Sequence, residues 1–292
     1  MMNLFKIVDD YKSDFTTFPR KFKNYKWYKP ILVFVIGLIL YLVVSAIAVL
    51  ILGIFSPEAA KTFFISPGTN IPGFDKIDGA ISAIMLALMI PSLYISSKMV
   101  NYIPFSSYLT SVGGWNWGMF IKSSAVFLIV YIIFYIFDFI VRGIQLDIKL
   151  TLVSLLLLII LTPFQCFAEE LVFRGLITQT VGSWFRIPII AIVIPAILFA
   201  CAHGYNTFGF IDVLVSGLIF AFLAWYTKGL EVSTALHSIN NIAVFTVAGI
   251  STVNISTNAS YIDGIEGVIL TIASFAVIFL IDRKYNFIGL NR

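Results

Sequence analysis

The chain has 292 residues, of which 60% are hydrophobic and only 12% are charged. Soluble domains carry roughly 25% charged residues, so this chain has too few charges for a surface that faces water. The composition excludes a soluble globular enzyme, a disordered chain and a nucleic-acid-binding module, and no nucleic acid is expected as a partner. The remaining class is an all-α, polytopic membrane protein. Its formal net charge is +4.

Residues 1–30 form a polar segment that is rich in aromatic and basic side chains. Its cations are Lys6, Lys12, Arg20, Lys21, Lys23, Lys26 and Lys29. Such a cluster beside the first apolar run predicts a cytoplasmic flank, and the aromatic residues suit a segment that contacts membrane lipid at the headgroup level. An ordinary cytoplasmic tail is the alternative.

Residues 31–292 are expected to form a transmembrane domain of about eight helices. Apolar runs predict spans at 31–55, 81–101, 118–141, 151–173, 187–203, 209–227, 232–250 and 264–281. Pro91, Pro163 and Pro195 lie within spans, where a proline can kink the helix. The stretch 56–80 is predicted to be a loop. An even number of spans places both termini on one side, so a multi-pass protein of the cell membrane with cytoplasmic termini is expected.

Ionisable side chains inside the spans are the candidate functional residues, because each costs roughly 2.5–3.5 kcal/mol on insertion scales. Most acidic residues lie in the N-terminal segment, in loops or at span ends. The exceptions are Glu169 and Glu170, which lie with Arg174 at the end of the fourth span. Both histidines of the chain are also in apolar segments: His203 is at the end of the fifth span, and His237 is in the seventh together with Asn241.

Helical spacing predicts which of these side chains share a face. Glu170 and Arg174 are four residues apart and can form an ion pair. Glu169 is turned about 100° from its neighbour and can point into a cavity. His237 and Asn241 are also four residues apart and present two hydrogen-bonding groups in one direction.

Together these groups suit hydrolysis within the membrane. A carboxylate in a low-dielectric environment can act as a base, a nearby histidine can orient water, and a second histidine with an amide can stabilise the oxyanion of a tetrahedral intermediate. Other interpretations stay open: the Glu170–Arg174 pair can be purely structural, a histidine in a span can serve only packing, and Asn241 can join helices. Asp212 and Ser216 can line the same cavity or only begin the sixth span.

Three motifs in order resemble a known family. Glu169-Glu170-x-x-x-Arg174, Phe199-x-x-x-His203 and His237-x-x-x-Asn241 are similar to those of the CAAX prenyl protease and bacteriocin-processing family (CPBP, also called Abi). The resemblance covers about residues 150–250, which would be the catalytic core. It implies an intramembrane endopeptidase in which Glu169 activates water with help from His203, while His237 and Asn241 stabilise the oxyanion. Glu170 and Arg174 match supporting positions.

The cofactor and the substrate stay open at this stage. Glu169, His203 and His237 could form a His2Glu zinc site, but no His-Glu-x-x-His motif is present, and direct activation of water by glutamate and histidine is favoured. The substrate is expected to be a membrane-associated peptide or protein, and a prenylated protein is one candidate. The rival functions are a non-catalytic scaffold or bacteriocin self-immunity protein with the same fold, and a proton-coupled transporter.

Overall fold

The computed structural model describes residues 3–11, 14–57 and 71–288. These residues form helices and no β-strand; two isolated bridges, Thr110–Gly229 and Leu146–Ser251, join loops to helix ends. The predicted all-α class is therefore confirmed. Of the predicted loop at 56–80, residues 58–70 lie outside the described part of the chain.

Eleven α-helices follow one another along the described residues. They are α1 (Lys29–Phe55), α2 (Ile77–Ala87), α3 (Met89–Val100), α4 (Ser106–Leu109), α5 (Trp117–Arg142), α6 (Leu152–Glu170), α7 (Gln179–Phe185), α8 (Pro188–Ala202), α9 (Thr207–Thr227), α10 (Glu231–Ile250) and α11 (Tyr261–Tyr285). A π-helical segment, Leu171–Thr178, joins α6 to α7 without a break.

Six helical stretches of the described chain are long and apolar enough to cross a membrane: α1, α2 with α3, α5, the continuous stretch from α6 to α7, α9 and α11. The protein is thus a multi-pass membrane protein. The expected count of about eight is approximate, because two of the predicted spans differ from the rest. Helix α8 has only 15 residues, and α10 carries many polar side chains, including His237.

The helices form a bundle with two distinct ends. At the first, which we call the basic end, α1, α5 and α10 begin and α7 ends; the N–H of Leu230 donates to the carbonyl of Leu109 there. At the second, the open end, α5, α8 and α10 end while α9 and α11 begin, and the N–H of Asn206 donates to the carbonyl of Thr257. Helix α10 packs against α5, α6 and α9, so it lies at the centre of the bundle.

The N-terminal segment folds onto the basic end. Phe15, Thr16 and Thr17 have no exposed surface. One carboxylate oxygen of Asp14 accepts the backbone N–H groups of Thr16 and Thr17, and the other accepts the indole N–H of Trp225 at 2.8 Å. A buried carboxylate with this many donors fixes the chain around it. The described part of the segment is therefore packed against the helices at this end. Its predicted contact with lipid stays a prediction.

We expect Gly182→Ala to release the N-terminal segment. A Cβ at Gly182 would collide with the backbone of Thr16, although alanine in a helix is ordinarily favoured over glycine by up to about 1 kcal/mol. Trypsin should then cleave after Arg20 and Lys21 about tenfold faster in mild detergent, as expected when a local opening becomes easier. The control is Gly118→Ala, whose Cβ meets only the side chain of Asn116; equal cleavage in both variants would contradict the prediction.

Candidate functional site

A cavity of about 390 Å³ extends from the open end into the bundle. Its rim carries exposed residues such as Pro72, Arg142 and Asn258, and its deep part is lined by the buried Glu169 and His237. The cavity thus connects the outside of the protein to polar groups inside an apolar bundle. Such concave sites with a few convergent polar groups are the usual form of binding and active sites.

The end of α6 directs the two adjacent glutamates in different directions. Glu169 lines the cavity, whereas Glu170 has no exposed surface and lies behind the cavity wall. The π-helical segment begins at the next residue, and within it the hydroxyl of Thr178 donates to the carbonyl of Phe173, five residues earlier. π-helical segments are rare and occur frequently at functional sites.

Glu170 and Arg174 form a buried ion pair, as their spacing predicts. One guanidinium nitrogen of Arg174 donates to Glu170 Oε1 at 2.9 Å, and another donates to the carbonyl of Gly217 at 3.2 Å. The guanidinium also lies 4.2 Å from the ring centroid of Phe199 and 5.3 Å from that of Phe220. Arg174, in the π-helical segment, therefore links Glu170 at the end of α6 to Gly217 of α9. Its guanidinium also packs against the aromatic residues of the cavity wall.

His237 lies between the two glutamates. Its Nδ1 is 3.0 Å from Glu170 Oε1, and its Nε2 is 3.7 Å from Glu169 Oε2. A carboxylate only accepts, so Nδ1 carries a proton and donates to Glu170. The ring stacks on Phe220 at a centroid distance of 4.9 Å. Glu170 and Phe220 thus fix the orientation of His237, and its Nε2 is on the side of Glu169.

His203 lies just past the end of α8 and lines the same cavity. Its Nδ1 is 2.7 Å from the carbonyl of Phe199. Because a carbonyl oxygen can only accept, Nδ1 bears the proton, and the Nε2 of the neutral ring keeps its lone pair. The Phe199 ring contacts both imidazoles, with centroids 4.4 Å from His203 and 5.8 Å from His237.

Asn241 also lines the cavity, one helical turn after His237. Its side-chain oxygen accepts a hydrogen bond from the amide of Asn240 at 3.1 Å, and Asn240 in turn accepts from the hydroxyl of Tyr131 at 2.9 Å. With its oxygen bound in this way, the side-chain nitrogen of Asn241 remains available as a donor. The four residues predicted to be catalytic therefore line one cavity, and the two predicted supporting residues are buried behind it.

Several further polar residues, which the motifs did not indicate, line the cavity. Gln165 donates to Glu169 at 3.4 Å, one turn earlier on α6. Burial raises the pKa of Tyr205 to about 12, and the nearby carboxylates of Glu169 and Asp212 act in the same direction, so this phenol stays protonated near neutral pH. Asp212 and Ser216, for which two interpretations were open, both line the cavity. Of Gln165 and Tyr205, only Gln165 had a signal in the sequence: it is four residues before Glu169, a spacing that places both side chains on one face of the helix.

The donor set does not fit a zinc site. Within the described parts of the chain, no three His, Cys, Asp or Glu side chains lie close enough together to hold one metal ion. The proposed His2Glu ligands, Glu169, His203 and His237, share the cavity without converging on a common point. We therefore derive no chemical step through a metal.

A multi-pass helical membrane protein with a buried carboxylate and two imidazoles around an accessible cavity has the groups of an intramembrane hydrolase. The family model described as type II CAAX prenyl endopeptidase, Rce1-like, matches residues 150–243. This match confirms the resemblance predicted from the three motifs and supports a CAAX-type intramembrane protease fold. It begins just before α6 and ends within α10, so it contains every predicted site residue.

A protein of Bacillus subtilis (strain 168), named as the uncharacterized protein YyaK, is 24% identical to this chain over 177 residues. The aligned part is 56% of this chain and 59% of that protein, so the similarity spans less than two thirds of the relative. No solved structure matches the chain.

Proposed function

We propose that the protein is an intramembrane endopeptidase that hydrolyses a peptide bond with water activated by Glu169. The observation that carries this proposal is the position of Glu169: it lines the cavity beside His237, while its neighbour Glu170 is fully buried and bound to Arg174. One carboxylate is thereby available to a substrate and the other is not. In this proposal, residues 150–250 are the catalytic core of the transmembrane domain.

The hydrolytic step uses the groups that line the deep part of the cavity. Glu169 takes a proton from a water molecule while the water oxygen attacks the carbonyl carbon of the substrate. In the tautomer that donates from Nδ1 to the carbonyl of Phe199, the Nε2 of His203 accepts the second O–H of that water and orients it. The proton on Glu169 then passes to the amide nitrogen as the C–N bond breaks, which yields a carboxylic acid and an amine.

Stabilisation of the tetrahedral oxyanion comes from α10. The candidate donors are the amide nitrogen of Asn241 and, one helical turn earlier, the Nε2–H that His237 carries when both of its ring nitrogens are protonated. Oxyanion donors of this kind typically contribute a factor of about 10²–10³ to the rate. Glu170 and Arg174 are positioning residues, because they touch His237 and the cavity wall and have no access to a substrate.

The substrate of this site would be a membrane-associated peptide or protein. The protein itself would be located in the cell membrane. The cavity is polar at depth and apolar along walls such as Phe134, Val244 and Phe245, which suits a peptide with an apolar portion. A prenylated C-terminus is one member of this class. The basic N-terminal segment favours cytoplasmic termini.

We expect the purified protein to cleave members of a library of quenched fluorescent decapeptides in mild detergent, and to keep that activity after dialysis against EDTA. The reason is that the proposed base and the imidazole that would orient water are side chains, and the described residues hold no set of three metal ligands. Cleavage products are identified by mass spectrometry. Loss of activity in EDTA, together with stoichiometric zinc in the undialysed protein, would contradict the metal-free mechanism; absence of any cleaved peptide would instead favour the scaffold or immunity role.

A further inference from the structure

The cavity and the basic residues lie at opposite ends of the bundle. The exposed rim residues Pro72, Arg142, Asn254 and Asn258 are at the open end, before α2, at the end of α5 and between α10 and α11. The N-terminal segment is packed at the other end, where Arg20 donates to the carbonyl of Ser183 at 2.6 Å and Trp184 donates to the carbonyl of Trp27 at 2.9 Å. The cavity therefore opens away from the N-terminal segment.

Lysine and arginine are distributed very unequally between the two ends. Described cations at the basic end are Lys6, Arg20, Lys21, Lys23, Lys26, Lys29, Lys98, Lys122, Arg186, Lys228, Arg283 and Lys284. Those at the open end are Lys76, Arg142 and Lys149. Short loops with an excess of Lys and Arg stay in the cytoplasm. The open end is therefore the extracytoplasmic one.

Apolar packing closes the basic end. Phe15 from the N-terminal segment, Tyr108, Leu171 and Leu230 form one buried cluster there, each with no exposed surface. Densely packed side chains of this kind leave no passage for a peptide. Among the described residues, the polar groups of the site are reached through the rim at the open end.

We infer that the site takes its substrate from the extracytoplasmic side, so that its substrate class is an exported peptide, or the exported part of a membrane protein, and not a cytoplasmic C-terminus. This inference rests on the proposed function for the chemistry, but its geometry is independent of catalysis. The inference decides between the substrate classes that the sequence left undecided, because a prenylated C-terminus in the cytoplasm could not reach Glu169.

The geometry is tested by cysteine labelling in intact cells, in a Cys201→Ser background that removes the exposed native thiol and keeps the buried Cys166. Asn258→Cys at the rim should react with a membrane-impermeant maleimide without permeabilisation. Lys23→Cys should react only after lysis. Asn254→Cys and Lys26→Cys form a second pair if a first variant does not accumulate. The reverse pattern overturns the inference, whatever the activity of the protein.

The substrate side is tested with sealed membrane vesicles and a decapeptide that the purified protein cleaves. Right-side-out vesicles should cleave added peptide at least about tenfold faster than inverted ones, with Glu169→Gln vesicles subtracted as background. Faster cleavage by inverted vesicles overturns the inference and leaves the proposed function standing. If no decapeptide is cleaved even in detergent, the proposed function fails, and the labelling experiment still decides the sidedness.

Discussion

Glu169→Gln should abolish peptide hydrolysis and leave the fold intact. The substitution keeps the size of the side chain and its contact with Gln165 but removes the group that accepts a proton from water. General-base catalysis typically contributes a factor of about 10²–10⁴, so kcat should fall by that amount with little change in KM. The measurement is the hydrolysis rate of a cleaved decapeptide by purified protein in mild detergent.

The matched control for this variant is Glu266→Gln, the same chemical change near the rim of the same cavity. Glu266 forms an ion pair with Arg142 at 2.6 Å and takes no part in the proposed chemistry. Its variant should hydrolyse the peptide within a factor of about three of the wild type, as expected for a surface ion pair. If Glu169→Gln also retains that rate, Glu169 is not the base and the proposed mechanism is wrong.

Local parts of the site could be predicted from the sequence, and its long-range contacts could not. The Glu170–Arg174 pair follows from helical spacing alone, because four residues along a helix place two side chains on one face. The contact between Glu170 and His237 joins α6 to α10, and no local rule specifies it. The motif order indicated that these helices meet, but it did not show that His237, and not His203, is the imidazole beside Glu169.

The fold shows the same division. Hydropathy located seven of the eight predicted segments to within four residues at each end, because a long apolar run in lipid has to satisfy its backbone as a helix. The second predicted span is divided at Leu88, and Pro91 lies in the first turn of α3, where a missing N–H costs little. The extension of the fourth span to Phe185 was missed, because polar residues such as Gln179 interrupt the apolar run on which the prediction depends. The partner of Gln179 comes from a distant segment: its side-chain amide donates to the carbonyl of Ser107.

The packing of the N-terminal segment against the bundle could not be predicted from the sequence either. Its aromatic and basic residues have the composition of a membrane-surface segment, and that composition fits a packed segment equally well. The contact that distinguishes the two is the bond between Asp14 and Trp225, which are far apart in the chain. A buried carboxylate in a polar stretch gives no periodic signal, so only the tertiary structure reveals it.

Arg174→Ala should be the most destabilising substitution in the site. The side chain has no exposed surface and binds Glu170, the carbonyl of Gly217 and the ring of Phe199. Its removal leaves the buried Glu170 carboxylate without its guanidinium partner, and breaking a buried ion pair in this way costs about 3–5 kcal/mol in comparable pairs. We expect a loss of that size in the free energy of unfolding, measured by thermal and denaturant unfolding in mild detergent.

Two further variants decide whether charge or packing causes this loss. Arg142→Ala removes an arginine that is paired with carboxylates but partly exposed, and it should cost no more than about 1 kcal/mol. The double variant Glu170→Gln with Arg174→Met removes both charges, restores apolar volume and keeps an oxygen that can accept from His237 Nδ1. It should recover most of the stability, because replacing both partners of a buried pair is far cheaper than removing one. If the double variant is as unstable as Arg174→Ala, the contacts of Arg174 with α9 stabilise the bundle and the buried charge of Glu170 does not explain the loss.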